Sequence, residues 1–275
     1  MPPKPIEDTS RLCVHTMTTK PLALGEAIDA YQEKDINAIT VWRQHIEPLG
    51  VKESARMLKE SGMNVVSLCR GGFFPATSGM AREQARAENR QIIDEAAELG
   101  APVVVLVCGA DPEIDLPTAR QHIADGINHI LPHAEACGVK LAIEPLHPMY
   151  ADTRSAICTM DQANNLLMVL ENDYLGIAVD VYHVWWDHFL RAEIMRAKDK
   201  ILAFHVCDWR VPTRDLLNDR GLMGTGCINI PEIREWVEQA GFDGHIEVEI
   251  FSDEFWGQDQ EKYLRRIRNA YLRHV

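Results

Sequence analysis

The sequence at residues 176–206 is GIAVDVYHVWWDHFLRAEIMRAKDKILAFHV. Two short apolar runs, at 176–180 and 201–206, enclose a longer amphipathic stretch at 187–197. Short apolar runs bounded by polar residues are typical of buried strands, and a longer stretch with helical periodicity is typical of a helix packed against them. The segment therefore predicts a strand, a crossover helix and a second strand parallel to the first.

The same unit recurs along the whole chain. Strands are predicted at residues 11–15, 38–42, 64–69, 102–108, 140–144, 176–180, 201–206 and 245–250. Helices are predicted at residues 22–33, 50–61, 81–99, 117–137, 160–171, 187–197, 230–240 and 259–273. Eight strand–helix units in 275 residues predict an α/β fold, a (β/α)8 TIM barrel in which residues 1–275 form a single domain.

Charge and hydropathy exclude several classes of partner. The chain has 28 Lys and Arg residues against 41 Asp and Glu residues, which gives a formal net charge of −13. This negative charge disfavours nucleic acid as the main partner. No apolar run approaches the roughly 20 residues of a membrane-spanning helix, and the first residues lack a signal-peptide pattern. We therefore expect a cytoplasmic protein that binds neither nucleic acid nor membrane.

Four ionisable residues lie at the carboxyl ends of consecutive predicted strands. LAIE ends on Glu144, GIAVD on Asp180 and ILAFH on His205, and HIEVEI has Glu249 near its end. The carboxyl ends of barrel strands form the rim where barrel enzymes carry their active sites. Three carboxylates and one imidazole that converge there would suit a divalent ion such as Mn²⁺, Mg²⁺ or Co²⁺.

Two alternatives remain open for this cluster. Each residue alone could be an ordinary salt-bridged side chain at a strand end, but four in consecutive strands favour a shared site, because several unpaired buried charges are very unfavourable. Glu247 lies on the same strand face as Glu249, one layer deeper. We prefer Glu249 because it lies nearer the mouth of the barrel.

Five segments, IEPLHP, VDVYH, FHVCD, GTGCINI and GFDGHIEVEIF, resemble the xylose-isomerase-like barrel superfamily of sugar phosphate isomerases and epimerases. The resemblance covers nearly the whole chain. That superfamily includes ketose 3-epimerases, hydroxypyruvate isomerases and inosose isomerases and dehydratases. It implies a metal-binding isomerase or epimerase of carbohydrate metabolism that acts on a small sugar, and it suggests a homo-oligomer, either a dimer or a tetramer.

The resemblance also implies roles for the four residues. Glu144, Asp180, His205 and Glu249 would bind one divalent ion, with manganese the first choice, and Glu144 and Glu249 would also be the catalytic acid–base pair. The chemistry fits on physical grounds, because an ion that chelates a carbonyl and its neighbouring hydroxyl acidifies the C–H between them. A carboxylate can then remove that proton and form an enediolate.

Substrate-binding residues are predicted around this pair. His183 follows Asp180 in the D-x-x-H pattern of the family, whose histidine contacts substrate. Arg210 lies five residues after the strand-seven histidine, where relatives carry a substrate-binding arginine, although the ketose 3-epimerases have theirs one residue later. That difference in position leaves Arg214 and Arg220 as alternatives.

Three further side chains belong to the predicted rim. His147 and His15 would supply polar contacts to a sugar, although a lone histidine is more often structural. Trp42, at the end of the second strand, would form an apolar wall of the pocket.

Other functions of the superfamily compete with isomerisation. A lyase or dehydratase of a keto-sugar or inosose would use the same proton abstraction, and the sequence does not separate the two. An apurinic endonuclease needs additional histidine and aspartate ligands, whereas strands two, three and four end here in Trp42, Cys69 and Cys108. A non-catalytic subunit is disfavoured because binding alone needs no opposed carboxylates.

Overall fold

The computed structural model describes residues 5–275 and contains a closed barrel of eight parallel strands, β1 to β8, in which β8 pairs with β1. The predicted (β/α)8 barrel is confirmed. The strands are β1 Leu12–His15, β2 Ala38–Trp42, β3 Asn64–Gly72, β4 Val103–Val107, β5 Lys140–Ile143, β6 Leu175–Asp180, β7 Ile201–Val206 and β8 Ile246–Val248.

The longer helices cover the outside of the barrel. The helices are α1 Leu24–Gln32, α2 Arg43–Ile46, α3 Val51–Ser61, α4 Gly79–Leu99, α5 Leu116–Cys137, α6 Met160–Leu170, α7 Val181–Val184, α8 Leu190–Ala197, α9 Ile230–Gln239, α10 Asp253–Trp256 and α11 Gln260–His274. The Asp115 carboxylate accepts a hydrogen bond from the backbone N–H of Thr118 at 3.0 Å and caps α5. Gly100, with φ of 75°, ends α4 in the left-handed conformation that favours glycine.

Several short elements depart from the predicted pattern. The single-turn helices α2, α7 and α10 follow strand ends, and three 3₁₀ segments occur at Thr16–Thr19, Pro148–Tyr150 and Lys198–Lys200. A two-stranded antiparallel hairpin pairs Asp208–Trp209 with Arg220–Gly221. None of the helices in residues 5–275 is both long enough and apolar enough to cross a bilayer.

The packing inside the barrel explains how the site is positioned. Ala142, Ala178 and Ala203 belong to a small apolar cluster separate from the main core, which lies between strands and helices. Because strand side chains alternate between faces, the residues two positions later on β5 to β7 point to the same interior. Small alanines therefore lie beneath the functional rim.

Candidate active site

The four predicted ligand residues converge at the carboxyl end of the barrel. Asp180 is the last residue of β6 and His205 lies in β7, whereas Glu144 and Glu249 are the first residues beyond β5 and β8. One ligand atom from each side chain lies within 4.8 Å of those from the other three. All four residues are at most 5% exposed. The barrel thus brings together residues that are up to 105 positions apart in the chain, from Glu144 to Glu249.

The donor set fits a divalent ion. Three carboxylates and an imidazole offer the oxygen and nitrogen ligands that Mn²⁺, Mg²⁺, Co²⁺ and Zn²⁺ accept. Burial, together with the negative charges of Glu249 and Glu144, raises the pKa of Asp180 to about 7, although the nearby Arg220 lowers it. A cation bound among these carboxylates would relieve that repulsion.

A second layer of polar side chains supports the cluster from below. Glu247 is fully buried, and one of its oxygens accepts hydrogen bonds from Ser67 Oγ at 3.1 Å and from Thr40 Oγ1. His15 Nε2 lies 3.2 Å from the same oxygen. Glu247 is thus held beneath the cavity by its own partners, which agrees with the preference for Glu249 at the mouth.

His15 does not line the cavity but links the two glutamates. Its Nδ1 lies 3.2 Å from Glu249 Oε1, on the opposite side of the ring from Glu247. Although burial disfavours a charged imidazole, hydrogen bonds to both glutamates raise the pKa of His15 to about 9. The indole N–H of Trp42 lies 3.1 Å from the same Nδ1 and donates to it when the ring is neutral; protonation makes Nδ1 a donor to Glu249 instead. The negative charge of Glu247 and Glu249 favours the protonated ring over the neutral ring that accepts from Trp42.

Arg220, an alternative to Arg210 in the sequence analysis, is the arginine of the loop after β7 that lines the cavity. Its Nη1 donates to Asp180 Oδ2 at 2.8 Å and to Glu249 Oε2 at 2.6 Å, and the residue is 4% exposed. Its guanidinium also stacks 4.4 Å from the ring centroid of Tyr182. Burial raises the pKa of Glu249, but Arg220 and His15 outweigh it and hold that pKa well below its usual range. Glu249 is therefore an ionised carboxylate.

Arg210, the arginine preferred from sequence, lies outside the cavity. Its Nη1 donates to Glu254 Oε2 at 2.8 Å, and its guanidinium stacks 4.9 Å from the ring of Phe255. The alternative Arg214 is itself exposed and pairs with the buried Asp219 and the exposed Glu254. The three arginines share one irregular loop, and no periodic pattern indicates which of them turns inward.

Asp208 anchors this loop. Its carboxylate accepts backbone hydrogen bonds from Gly226 at 2.8 Å, Ile228 at 3.0 Å and Trp209 at 2.9 Å. These contacts tie both ends of the connection after β7 together, and the hairpin inside it carries Arg220 over the barrel mouth.

His183 reaches the cavity, whereas His147 lies behind it. The His183 Nδ1 accepts from the backbone N–H of His147 at 3.3 Å, and its Nε2 lies 3.2 Å from Arg220 Nη2. Burial and Arg220 hold the pKa of His183 well below its usual value, so the ring is neutral. Because Nδ1 accepts from His147, the ring proton is on Nε2, which can donate one hydrogen bond to a hydroxyl. The His147 ring packs against Trp186 and Trp209 instead.

A cavity of about 170 Å³ opens above the cluster. Of the predicted site residues, Glu144, Glu249, His183 and Trp42 line it, together with Arg220 and the apolar Phe251. A cavity of this volume has room for several water molecules. This is the size class of a small polar molecule.

The sequence matches the family model described as "Xylose isomerase-like TIM barrel" over residues 26–272. Among curated proteins, the inosose isomerase of Halalkalibacterium halodurans is 24% identical over 196 residues, which cover 68% of this chain and 67% of that enzyme.

Solved structures give the same result for the fold. Protein SMc04130 from Sinorhizobium meliloti 1021 is 43% identical, with a TM-score of 0.93 over 96% of this chain and 98% of that one. The IolI protein with a bound zinc atom is 19% identical, with a TM-score of 0.81 over 94% and 96% of the two chains. With the family model covering most of its length, the chain belongs to the xylose isomerase-like TIM barrel family.

Proposed function

We propose that this protein is a divalent-metal-dependent isomerase or epimerase of a small keto sugar. The observation that carries the proposal is the buried cluster of Glu144, Asp180, His205 and Glu249, two of whose carboxylates line the cavity. The similarity to an inosose isomerase supports the reaction class, and the zinc atom in the IolI structure supports a metal in this fold.

The four residues of the cluster would hold the ion, with Mn²⁺ as the first choice and Mg²⁺ or Co²⁺ as alternatives. The bound ion would polarise a carbonyl and the adjacent hydroxyl and stabilise the negative charge of an enediolate. His205 must be neutral to ligate. Without an ion, Glu247 and Glu144 outweigh burial and raise the pKa of His205 to about 10. Binding of the ion therefore displaces a proton from His205.

Glu249 is the proposed base for the first step. Arg220 and His15 keep it ionised and fix both of its oxygens, so it can accept a proton from the carbon next to the carbonyl. Glu144 approaches from β5, with β6 and β7 between the two strands. Return of the proton to the neighbouring carbon gives isomerisation, and return to the same carbon from the other face gives epimerisation.

His183 and Trp42 are the proposed substrate contacts. The neutral His183 ring offers one hydrogen bond to a sugar hydroxyl, and the Trp42 indole covers an apolar face. We propose Arg220 as the contacting arginine, because Arg210 points to Glu254. His15 and His147 are proposed to position Glu249 and His183.

Product analysis tests the proposal. The metal-loaded protein is incubated with a panel of ketoses, inososes and hydroxypyruvate, and the products are identified by NMR. We expect an isomer or epimer of one panel member together with one equivalent of divalent ion per chain. A dehydrated product would identify a lyase, and no product with any member and no bound metal would contradict the proposal.

A further inference from the structure

Two arginines at the mouth of the cavity have no carboxylate partner. Arg70 lies near the carboxyl end of β3, and Arg154 lies in the segment after the 3₁₀ helix at Pro148–Tyr150, and both line the cavity above the cluster. Within residues 5–275, neither side chain makes an ion pair or a hydrogen bond, and Arg70 Nη1 is buried without a hydrogen-bond partner. A buried guanidinium nitrogen without a partner is unfavourable, so this arrangement needs an explanation.

Aromatic rings hold both guanidinium groups in place. Arg70 lies 4.5 Å from the ring centroid of Phe73, and Arg154 lies 5.4 Å from that of Tyr150. Burial and the nearby Arg154 lower the pKa of Arg70 by more than the carboxylates of Glu144 and Glu249 raise it. Two like charges kept close together at a cavity wall form a ready anion site.

The neighbouring arginines are neutralised in a way that these two are not. Arg43, on the wall of the adjoining cavity, donates to Glu95 at 2.8 Å, and Arg220 is paired with Asp180 and Glu249. A divalent ion and Arg220 together carry three positive charges, which balance the three carboxylates of the cluster. The charges of Arg70 and Arg154 are therefore in excess.

We propose that Arg70 and Arg154 bind an anionic group of the substrate, so that the keto sugar carries a carboxylate or a phosphate. Guanidinium groups match both anions in geometry and charge. This inference rests on the proposed function, because it names the substrate class of the same cavity. The anionic end would contact β3 and the loop after β5, while the keto end faces Glu144 and Glu249.

Three ligands that differ at a single carbon test the proposal. D-fructose, D-fructuronate and D-fructose 6-phosphate share their keto end and stereocentres and carry a hydroxymethyl, a carboxylate and a phosphate group at the far end. Dissociation constants are measured by calorimetry on the manganese-loaded wild type, Arg70→Met and Arg154→Met. The control is Arg56→Met, because Arg56 is an exposed arginine paired with Glu53 and Glu60.

We expect at least one anion to bind tenfold or more tightly than D-fructose. Each methionine variant should reduce that ratio at least threefold, Arg154→Lys should restore part of it, and Arg56→Met should keep the wild-type ratio. Tighter binding of fructuronate identifies a carboxylate site, and tighter binding of fructose 6-phosphate identifies a phosphate site. A preference that survives both variants, or no anion that binds more tightly than D-fructose, overturns the proposal.

Failure of the proposed function would be seen separately. Binding ratios do not depend on turnover, so an anion preference that is lost in the variants would stand even if no ligand exchanged its C–H protons. Conversely, C–H proton exchange on a neutral ketose, with no tighter binding of either anion, would support the isomerase proposal and contradict only the proposed anion site.

Discussion

Replacing Arg220 with methionine tests how the buried carboxylates are neutralised. Arg220 is the shared partner of Asp180 and Glu249, at 2.8 and 2.6 Å, and methionine removes its charge while keeping an apolar chain. Removing one partner of a buried ion pair costs about 3–5 kcal/mol. We expect a value near 3 kcal/mol in chelator, because Asp180, whose pKa is about 7, can take up a proton when the arginine is lost. For a chain of this size that lowers Tm by roughly 6–12 °C.

Thermal unfolding followed by circular dichroism measures this effect, once in chelator and once with saturating Mn²⁺. The deficit should shrink with Mn²⁺, because the ion supplies positive charge beside the same carboxylates. Arg56→Met is the control, since Arg56 forms ion pairs only with the exposed Glu53 and Glu60 and its loss should barely change Tm. Equal Tm values for the two variants in chelator, or a deficit that Mn²⁺ leaves unchanged, would refute this reasoning.

Three further predictions concern the ionisable groups. Glu249→Gln should lower the turnover rate by about 10²–10⁴-fold, because it removes the base. It should also lower Tm, because the buried Arg220 loses one of its two carboxylate partners, so rates are compared at a temperature where circular dichroism shows the variant folded. An unchanged rate would exclude Glu249 as the base, and the exposed Glu60→Gln is the control. Metal binding at pH 8 should release protons, because His205 must lose its proton to ligate the ion. The buffer takes up these protons, so calorimetry in buffers of different ionisation enthalpy should give different binding heats. Identical heats would contradict this prediction. In chelator, the stabilisation from His15 should be complete below pH 6.5 and lost as the pH rises through about 9, because its pKa is higher in the folded than in the unfolded protein; His15→Asn should flatten the Tm profile across that range.

Much of the cluster could be predicted from sequence because strand geometry is periodic. The two-residue alternation that buries Ala142, Ala178 and Ala203 also points Glu144, Asp180 and His205 inward. Strand order around a barrel follows chain order, so consecutive strand ends must be neighbours.

The rest depended on irregular backbone. The irregular loop after β7 places Arg220 rather than Arg210 at the cavity. Backbone hydrogen bonds to Asp208 hold this loop, and such bonds produce no periodic pattern in the sequence. Single-turn helices such as α7 are too short to produce a hydrophobic period. The unpaired Arg70 and Arg154 could not be distinguished from surface arginines, because pairing depends on distances that the chain order does not fix.

The most direct test of the metal-dependent isomerase is hydrogen exchange in D₂O, followed by NMR on the sugar that the product panel identifies. We predict that deuterium enters at the carbon next to the carbonyl, that EDTA stops this exchange, and that added Mn²⁺ restores it. Exchange that continues at the same rate in the fully metal-depleted protein would contradict the account.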